Sequence, residues 1–376
     1  MSWLEILAYV PWVLVLSLPL AVRKRERIVR FPARPAGATP LVSIIVPARD
    51  EAHVIGACVT TLLATEYPAR EVIVVDDQSG DGTGDIARVL AEHSDGALRV
   101  IAGQPLPHGW LGKSWACWQG FKEAHGDLLL FTDADTRHDA SVLVRAVNAM
   151  QHENADIVTL VPRYQAVSFW GVAVLPQLWL GSMLRRRGLQ LLGRGPLSAN
   201  GQFLLIRRDA YERTRGHEGV RRVIVEDAAM AERVAASGGR TLIAYAESEL
   251  EARPTSTVRG MANEWTRRLG GTRPFTGFRA RAALVLLALT GVVLWLVPPL
   301  TLLSSLLGPT DPAVLQWSAI VTAVSLAFWI AVHIKLRMPA GPAIVYPFGA
   351  IAVAWVLMRL AFRWKRLAWK GRVSAD

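Results

Sequence analysis

Residues 282–307, 313–332 and 338–358 are apolar from end to end and contain no Asp, Glu, Lys or Arg. Each is long enough to cross the hydrocarbon core of a bilayer, where only a backbone that satisfies its own hydrogen bonds is stable. These segments commit this end of the chain to membrane helices before any other residue is considered. Pro298-Pro299 inside the first predicts a kink or an early end. A further apolar stretch, residues 3–22, lies near the other end and has Glu5 close to its start.

The first stretch is followed by Arg23, Lys24, Arg25, Arg27, Arg30 and Arg34. A secretory signal carries its positive charge before the apolar core, so this order reads as a transmembrane anchor whose C-terminal side is cytoplasmic. The expected organisation is an anchor at 1–22, a basic, proline-containing linker at 23–40, and a cytoplasmic domain at 41–281. Three transmembrane segments within 282–362 and a basic tail at 363–376 follow. A multi-pass protein of the cell membrane is implied. Its topology conflicts with itself: four spans put the tail outside, yet Lys365, Arg366, Lys370 and Arg372 favour the inside. Either one segment is re-entrant or the charge rule yields here.

The formal charge of +11 invites a nucleic-acid partner, but its location argues otherwise. Residues 40–281 carry 28 basic and 27 acidic side chains, so nearly all the excess flanks apolar segments, where it suits anionic lipid headgroups. Within the central region, 40–161 hold 8 basic and 17 acidic groups and 162–281 hold 20 and 10. An acidic half that collects a cation beside a basic half that faces lipid is the simplest reading. The two cysteines, Cys58 and Cys117, lack metal-ligand spacing and read as reduced and structural.

From 41 to 161, short apolar runs alternate with helical stretches, which implies βαβ units and a mostly parallel sheet in an α/β fold. Strands are expected at 42–47, 71–76, 98–102, 127–132 and 156–161, and helices at 52–64, 83–93, 114–125 and 139–152. Ligands of such sheets bind beyond the carboxyl ends of the strands. Asp50, Asp77 and Asp133 each follow a strand end, so one cleft can collect them. Asp133 and Asp135 sit two apart where a strand ends. Side chains at that spacing share a strand face, so both reach one hard cation such as Mg²⁺ or Mn²⁺. Lys113, between a glycine and a helix-like run, is placed at a helix start beside the cleft, where it can pair with an anionic group. Residues 168–193 join Trp170, Leu175, Leu178, Trp179, Met183 and Leu184 to Arg185-Arg-Arg187, which suits a helix lying at the bilayer surface.

Val42-Ser-Ile-Ile-Val-Pro-Ala-Arg-Asp-Glu51, Val75-Asp-Asp-Gln-Ser-Gly-Asp-Gly-Thr83, Thr132-Asp-Ala-Asp135 and Val225-Glu-Asp227 follow one another across residues 41–270. In order and spacing they resemble the family 2 glycosyltransferases, GT-A enzymes that use nucleotide sugars. Gly109-Trp-Leu-Gly-Lys-Ser-Trp-Ala116, Asn200-Gly-Gln-Phe203, Gly216-His217 and Trp369-Lys-Gly-Arg372 look like the integral-membrane members that glycosylate carotenoids and hopanoids.

The resemblance implies a GT-A fold and a nucleotide-sugar site that includes Pro47, Asp50 or Glu51, Asp77, Lys113 and Asp133. It implies a metal held by Asp135, with Asp133 bound directly, through water, or to the ribose, and Asp227 as general base. Glu226 is the alternative base, His217 a substrate contact or a structural group, and Trp110 and Trp115 packing residues. Asp76 reads as a turn cap. Where polymer-forming members carry Gln-x-x-Arg-Trp, this chain has Met261-Ala-Asn-Glu-Trp265, which favours a single transfer; Arg267 and Arg268 stand nearby as diphosphate contacts. The function expected is transfer of one sugar from a nucleotide donor to a lipid acceptor of carotenoid or isoprenoid type. Transfer to a polyprenyl phosphate and a non-catalytic membrane scaffold remain as rivals.

Overall fold

The computed structural model describes residues 10, 12, 27–164, 168–191, 199–253, 257–270, 277–362, 368–369 and 372–373. The chain divides into two compact units. One comprises Arg25–Gln165, Leu197–Arg253 and Arg366–Asp376; the other comprises Met1–Lys24, Ala166–Pro196 and Pro254–Lys365.

The first unit is built on eight strands: β1 (Val42–Ala48), β2 (Arg70–Asp76), β3 (Leu98–Ala102), β4 (Leu128–Phe131), β5 (Thr136–His138), β6 (Ile157–Tyr164), β7 (Leu204–Arg207) and β8 (Thr241–Ala252). They lie in the order β3-β2-β1-β4-β7-β6-β8-β5. The run β3-β2-β1-β4 is parallel throughout, as is β6 with β8. Strand β7 enters antiparallel to both β4 and β6, and β5 antiparallel to β8. The five expected strands form within a few residues of their expected bounds.

All seven residues of β1 are buried, as a strand covered on both faces requires. Its side chains alternate between two cores. Ile44 and Val46 pack with Cys58, Leu62 and Val147 of helices α1 (Ile55–Leu63) and α4 (Val142–His152). Ile45 packs on the other face with Ala116 and Cys117 of α3 (Gly112–Lys122). Helix α2 (Thr83–Glu92) follows β2. Both cysteines are buried free thiols.

The expected linker is, over residues 27–40, fastened to this unit. Ile28 and Phe31 are buried, and the Asn148 amide donates to the carbonyls of Pro32 and Arg34 at 2.9 and 2.8 Å. Arg145 donates to the carbonyl of Phe31 at 2.6 Å.

In the second unit, Phe278–Leu307, Pro312–Lys335 and Gly341–Phe362 are helices long and apolar enough to cross a membrane. The first runs through Pro298 and Pro299 without ending. Asp311 then caps the next helix by accepting the Ala313 amide at 2.8 Å, with Pro312 at the first helical position. Phe169–Leu191 is one helix, with Pro176 inside it. Its Ala173, Val174 and Leu178 are buried together with Met261, Trp265, Ala352 and Val356. The anchor at 1–22 (apart from Val10 and Trp12), most of the tail at 363–376, and the side chains of Arg185–Arg187 and of Arg267 and Arg268 lie outside the described residues.

Candidate active site

The carboxyl ends of β1, β2 and β4 open on one side of the sheet, and two clusters form there. The first joins the loops after β1 and β2. Arg49 reaches from one to the other, donating to the Asp77 carbonyl at 2.5 Å and lying 3.8 Å from the fully buried Asp77 carboxylate. Asp50 adopts a left-handed backbone, φ 51°, and its carboxylate accepts the Gly80 amide at 2.9 Å. The Glu51 and Ala52 amides donate to Thr83 Oγ1 and to Asp81, at 2.8 and 2.9 Å. Asp76 caps the second loop by accepting the Ser79 amide at 3.1 Å, the expected turn role. Asp50, Glu51 and Asp77 thus share one rigid, laced pair of loops.

The second cluster lines a small pocket whose walls include Pro47, Lys113, Thr132, Asp133, Gly201, His217, Glu226 and Asp227. Lys113, in the first turn of α3, bridges two carboxylates: Nζ lies 2.7 Å from Asp133 Oδ1 and 2.8 Å from Glu226 Oε1. Asp227, beside Glu226 at the start of helix α5 (Glu226–Ala236), accepts the Gly201 amide at 2.6 Å and the Ala228 amide at 2.7 Å. A methyl group at position 201 would sit 3.0 Å from Lys113 Nζ and 3.3 Å from Asp227 Oδ2, a tight fit that would make these side chains shift.

The adjacent acids divide. Burial pushes both up, but the Lys113 ammonium in contact with Glu226 outweighs this and holds Glu226 below the ordinary range. Asp227 is pushed up to about 6, by burial first and then by the charge of Glu226, against Lys113 and the two amides. A carboxylate near 6 is ionised at neutral pH yet basic enough to take a proton, the property a general base needs.

Asp133 and Asp135 do not lie on a strand. Both fall in the turn between β4 and β5, so the shared-face argument does not hold them together. Asp133 faces Lys113, while Asp135 is outside the set that lines the pocket. The turn itself is held from below. The Thr132 hydroxyl donates to the Gln202 carbonyl and the Thr136 hydroxyl to the Asp133 carbonyl, both at 2.7 Å. His138 Nε2 lies 3.2 and 2.9 Å from those hydroxyls, whose protons are already committed, so it is the donor. Burial pushes His138 down to about 3, which keeps it neutral.

Sequence reasoning missed this support and missed Gly201 as a site residue. The available signal was the pair of threonines bracketing Asp133-Ala-Asp135 and the motif Asn200-Gly-Gln-Phe203. Trp110 and Trp115 pack edge to face at 5.1 Å, as expected of packing residues.

Residues 43–215 match the model of glycosyl transferase family 2. The beta-monoglucosyldiacylglycerol synthase of Trichormus variabilis (strain ATCC 29413 / PCC 7937) is 31% identical over 180 residues, 47% of this chain and 37% of that protein. The 4,4'-diaponeurosporenoate glycosyltransferase of Staphylococcus aureus (strain USA300) is 30% identical over 193 residues, half of each chain. The chain therefore matches half or less of the length of these relatives. The mannosyltransferase PcManGT from Pyrobaculum calidifontis, solved with GDP-Man and Mn²⁺, superposes with a TM-score of 0.51 at 18% identity, covering 96% of both chains. That likeness shows a GT-A-like fold.

Proposed function

We propose that this chain, whose residues 43–215 form a family 2 glycosyltransferase domain, moves one sugar from a cytosolic nucleotide-sugar donor to a lipid acceptor of carotenoid or other isoprenoid type, with inversion. The observation that carries the reading is the meeting of Lys113, Asp133, Glu226 and Asp227 in one pocket at the carboxyl ends of the strands. A lipid acceptor is supported by two relatives, whose names specify diaponeurosporenoate and a diacylglycerol. Three helices apolar enough to enter a bilayer support it too. The basic flanks of the apolar segments favour a multi-pass protein of the cell membrane with its catalytic unit in the cytoplasm.

In this mechanism the acceptor hydroxyl gives its proton to the Asp227 carboxylate as its oxygen bonds to the anomeric carbon. The bond from that carbon to the diphosphate breaks, and its electron pair leaves with the nucleoside diphosphate. Arg49, Asp50, Glu51 and Asp77 form the nucleotide end of the site. Lys113 meets the negative charge of the departing diphosphate, and Asp133 and Glu226 hold its ammonium in place.

Among the described residues no three of His, Cys, Asp and Glu gather as a metal cage. Asp133, at the pocket, and Asp135, two residues on in the same turn, carry the hard oxygens that Mg²⁺ or Mn²⁺ would take as one or two protein ligands beside phosphate and water. Held there, such a cation would supply further positive charge to the leaving group.

Lipid mass spectrometry of cells with and without the gene tests the function: a lipid heavier by one hexose is expected only when the gene is present. In a reconstituted assay, Asp227→Asn lowers turnover by about 10²–10⁴-fold with little change in donor affinity. Unchanged turnover would point to an acceptor oxygen that is already anionic, as in a polyprenyl phosphate.

A further inference from the structure

His217 lines the pocket beside Lys113, Asp133 and Asp227, yet the mechanism above gives it no part. Its side is firmly fixed. Nδ1 lies 2.8 Å from the Tyr211 hydroxyl, and the same oxygen accepts the backbone N–H of His217 at 3.1 Å. The His217 ring meets Phe131 edge to face at 4.6 Å, and Tyr211 stacks on Phe131 at 5.4 Å. Gly216 permits this: a Cβ there would fall 2.2 Å from the Tyr211 ring, at a backbone φ of +43°.

The hydrogen bonds determine where the imidazole proton sits. Tyr211 is fully buried, and burial holds its hydroxyl well above its usual range, so it keeps its proton. Its oxygen accepts an amide, and among the described residues Nδ1 is the acceptor within reach of its one proton. Nδ1 is therefore an acceptor, and the ring proton is on Nε2. Burial pushes the imidazole down to about 4, so the ring is neutral near pH 7.

A neutral N–H donor in a pocket lined by Asp133, Glu226 and Asp227 has a definite preference. Phosphate oxygens are better met by Lys113, and an apolar lipid would leave the N–H without an acceptor. A sugar hydroxyl suits it, because the hydroxyl oxygen accepts from Nε2–H while its own proton goes to a neighbouring carboxylate. We propose that His217, locked by Tyr211 as the Nε2–H tautomer, hydrogen-bonds one hydroxyl of the transferred sugar and determines donor-sugar specificity. This rests on the reading of the pocket as the sugar site.

The test uses the full-length chain in detergent. UDP-glucose, UDP-galactose, UDP-N-acetylglucosamine and GDP-mannose are screened for turnover, and monodeoxy analogues of the accepted donor are then compared. The wild type is expected to lose at least about 10²-fold in kcat/KM for one analogue, as a site built for a hydroxyl does. His217→Ala and His217→Asn bring that ratio to within about 3-fold of unity. His217→Gln, whose amide N–H extends as far as Nε2, retains part of it. Tyr211→Phe, with His217 intact, also lowers the ratio by releasing the tautomer, and nucleoside diphosphate binding verifies that each variant is folded. A wild-type ratio for every analogue in either the His217→Ala or the Tyr211→Phe protein overturns the inference while leaving the transferase reading in place. Turnover of none of the four donors by the wild type would instead remove the sugar-site reading, and this inference with it.

Discussion

Replacing Lys113 with Met removes the ammonium and keeps an unbranched stem of similar length. Asp133 and Glu226 then face the pocket without the cation that lies 2.7 and 2.8 Å from them. Removing one partner of a buried ion pair costs about 3–5 kcal/mol. The side chains of Lys113, Asp133 and Glu226 retain 18, 26 and 10% exposure, so the lower end, about 3 kcal/mol, is expected.

The pH dependence has a definite sign. The folded-state pKa of Glu226 is depressed, so its pairing stabilises the protein above the unfolded carboxyl value and is lost as pH falls through the folded value. The stability gap between wild type and variant is therefore full at pH 7 and narrows in acid. Lys113 also lowers the pKa of Asp227, which lies at about 6. The proposed base must be ionised, so the wild-type rate is expected to fall as pH drops through about 6; in Lys113→Met this limb moves to higher pH. Urea unfolding followed by tryptophan fluorescence at pH 3 and 7, with kcat/KM profiles of both proteins, measures the two effects. Equal stability at pH 7, or a limb that stays in place or moves toward acid, would refute the reasoning.

Three further outcomes are expected. Gly201→Ala places a methyl 3.0 Å from Lys113 Nζ; it should cost about 1–3 kcal/mol of stability and reduce kcat by more than the unfolded fraction explains, measured by turnover beside a melting curve. Asp135→Ala should abolish transfer, and exhaustive chelation with EDTA should do the same to the intact enzyme; full activity after chelation would remove the cation from the mechanism. Replacing Arg185, Arg186 and Arg187 with Ser should impair transfer to a lipid in anionic vesicles, at about 1 kcal/mol of headgroup attraction per charge, while hydrolysis of the sugar nucleotide continues. A parallel fall in hydrolysis would make the segment a support of the fold.

The βαβ half of the sheet and the apolar helices were readable from local patterns. The run Val42–Ala48 is buried on both faces and so is apolar but for Ser43, and Asp50, Asp77 and Asp133 follow strand ends by simple counting. Other features had no local signal. Strand β7 holds only Leu204–Arg207, and its antiparallel insertion between β4 and β6 is set by its neighbours. Pro298-Pro299 predicted a kink or an early end, and the helix does not end there; carbonyls freed by proline in such helices are re-satisfied by Ser and Thr side chains, neighbouring helices or local changes of winding.

The strand-face geometry expected of Asp133-Ala-Asp135 does not form: the two acids sit in a turn held by Thr132, Thr136 and His138. By itself the sequence determined which residue types reach the end of the sheet, since strand periodicity and turn chemistry act over a few residues. Only the tertiary structure decided their chemistry. Lys113 meets Glu226 across 113 positions of chain, and Gly201 meets Asp227 across 26. A carboxylate's basicity depends on the water it loses and the charges brought beside it, and both are fixed only when distant segments pack together.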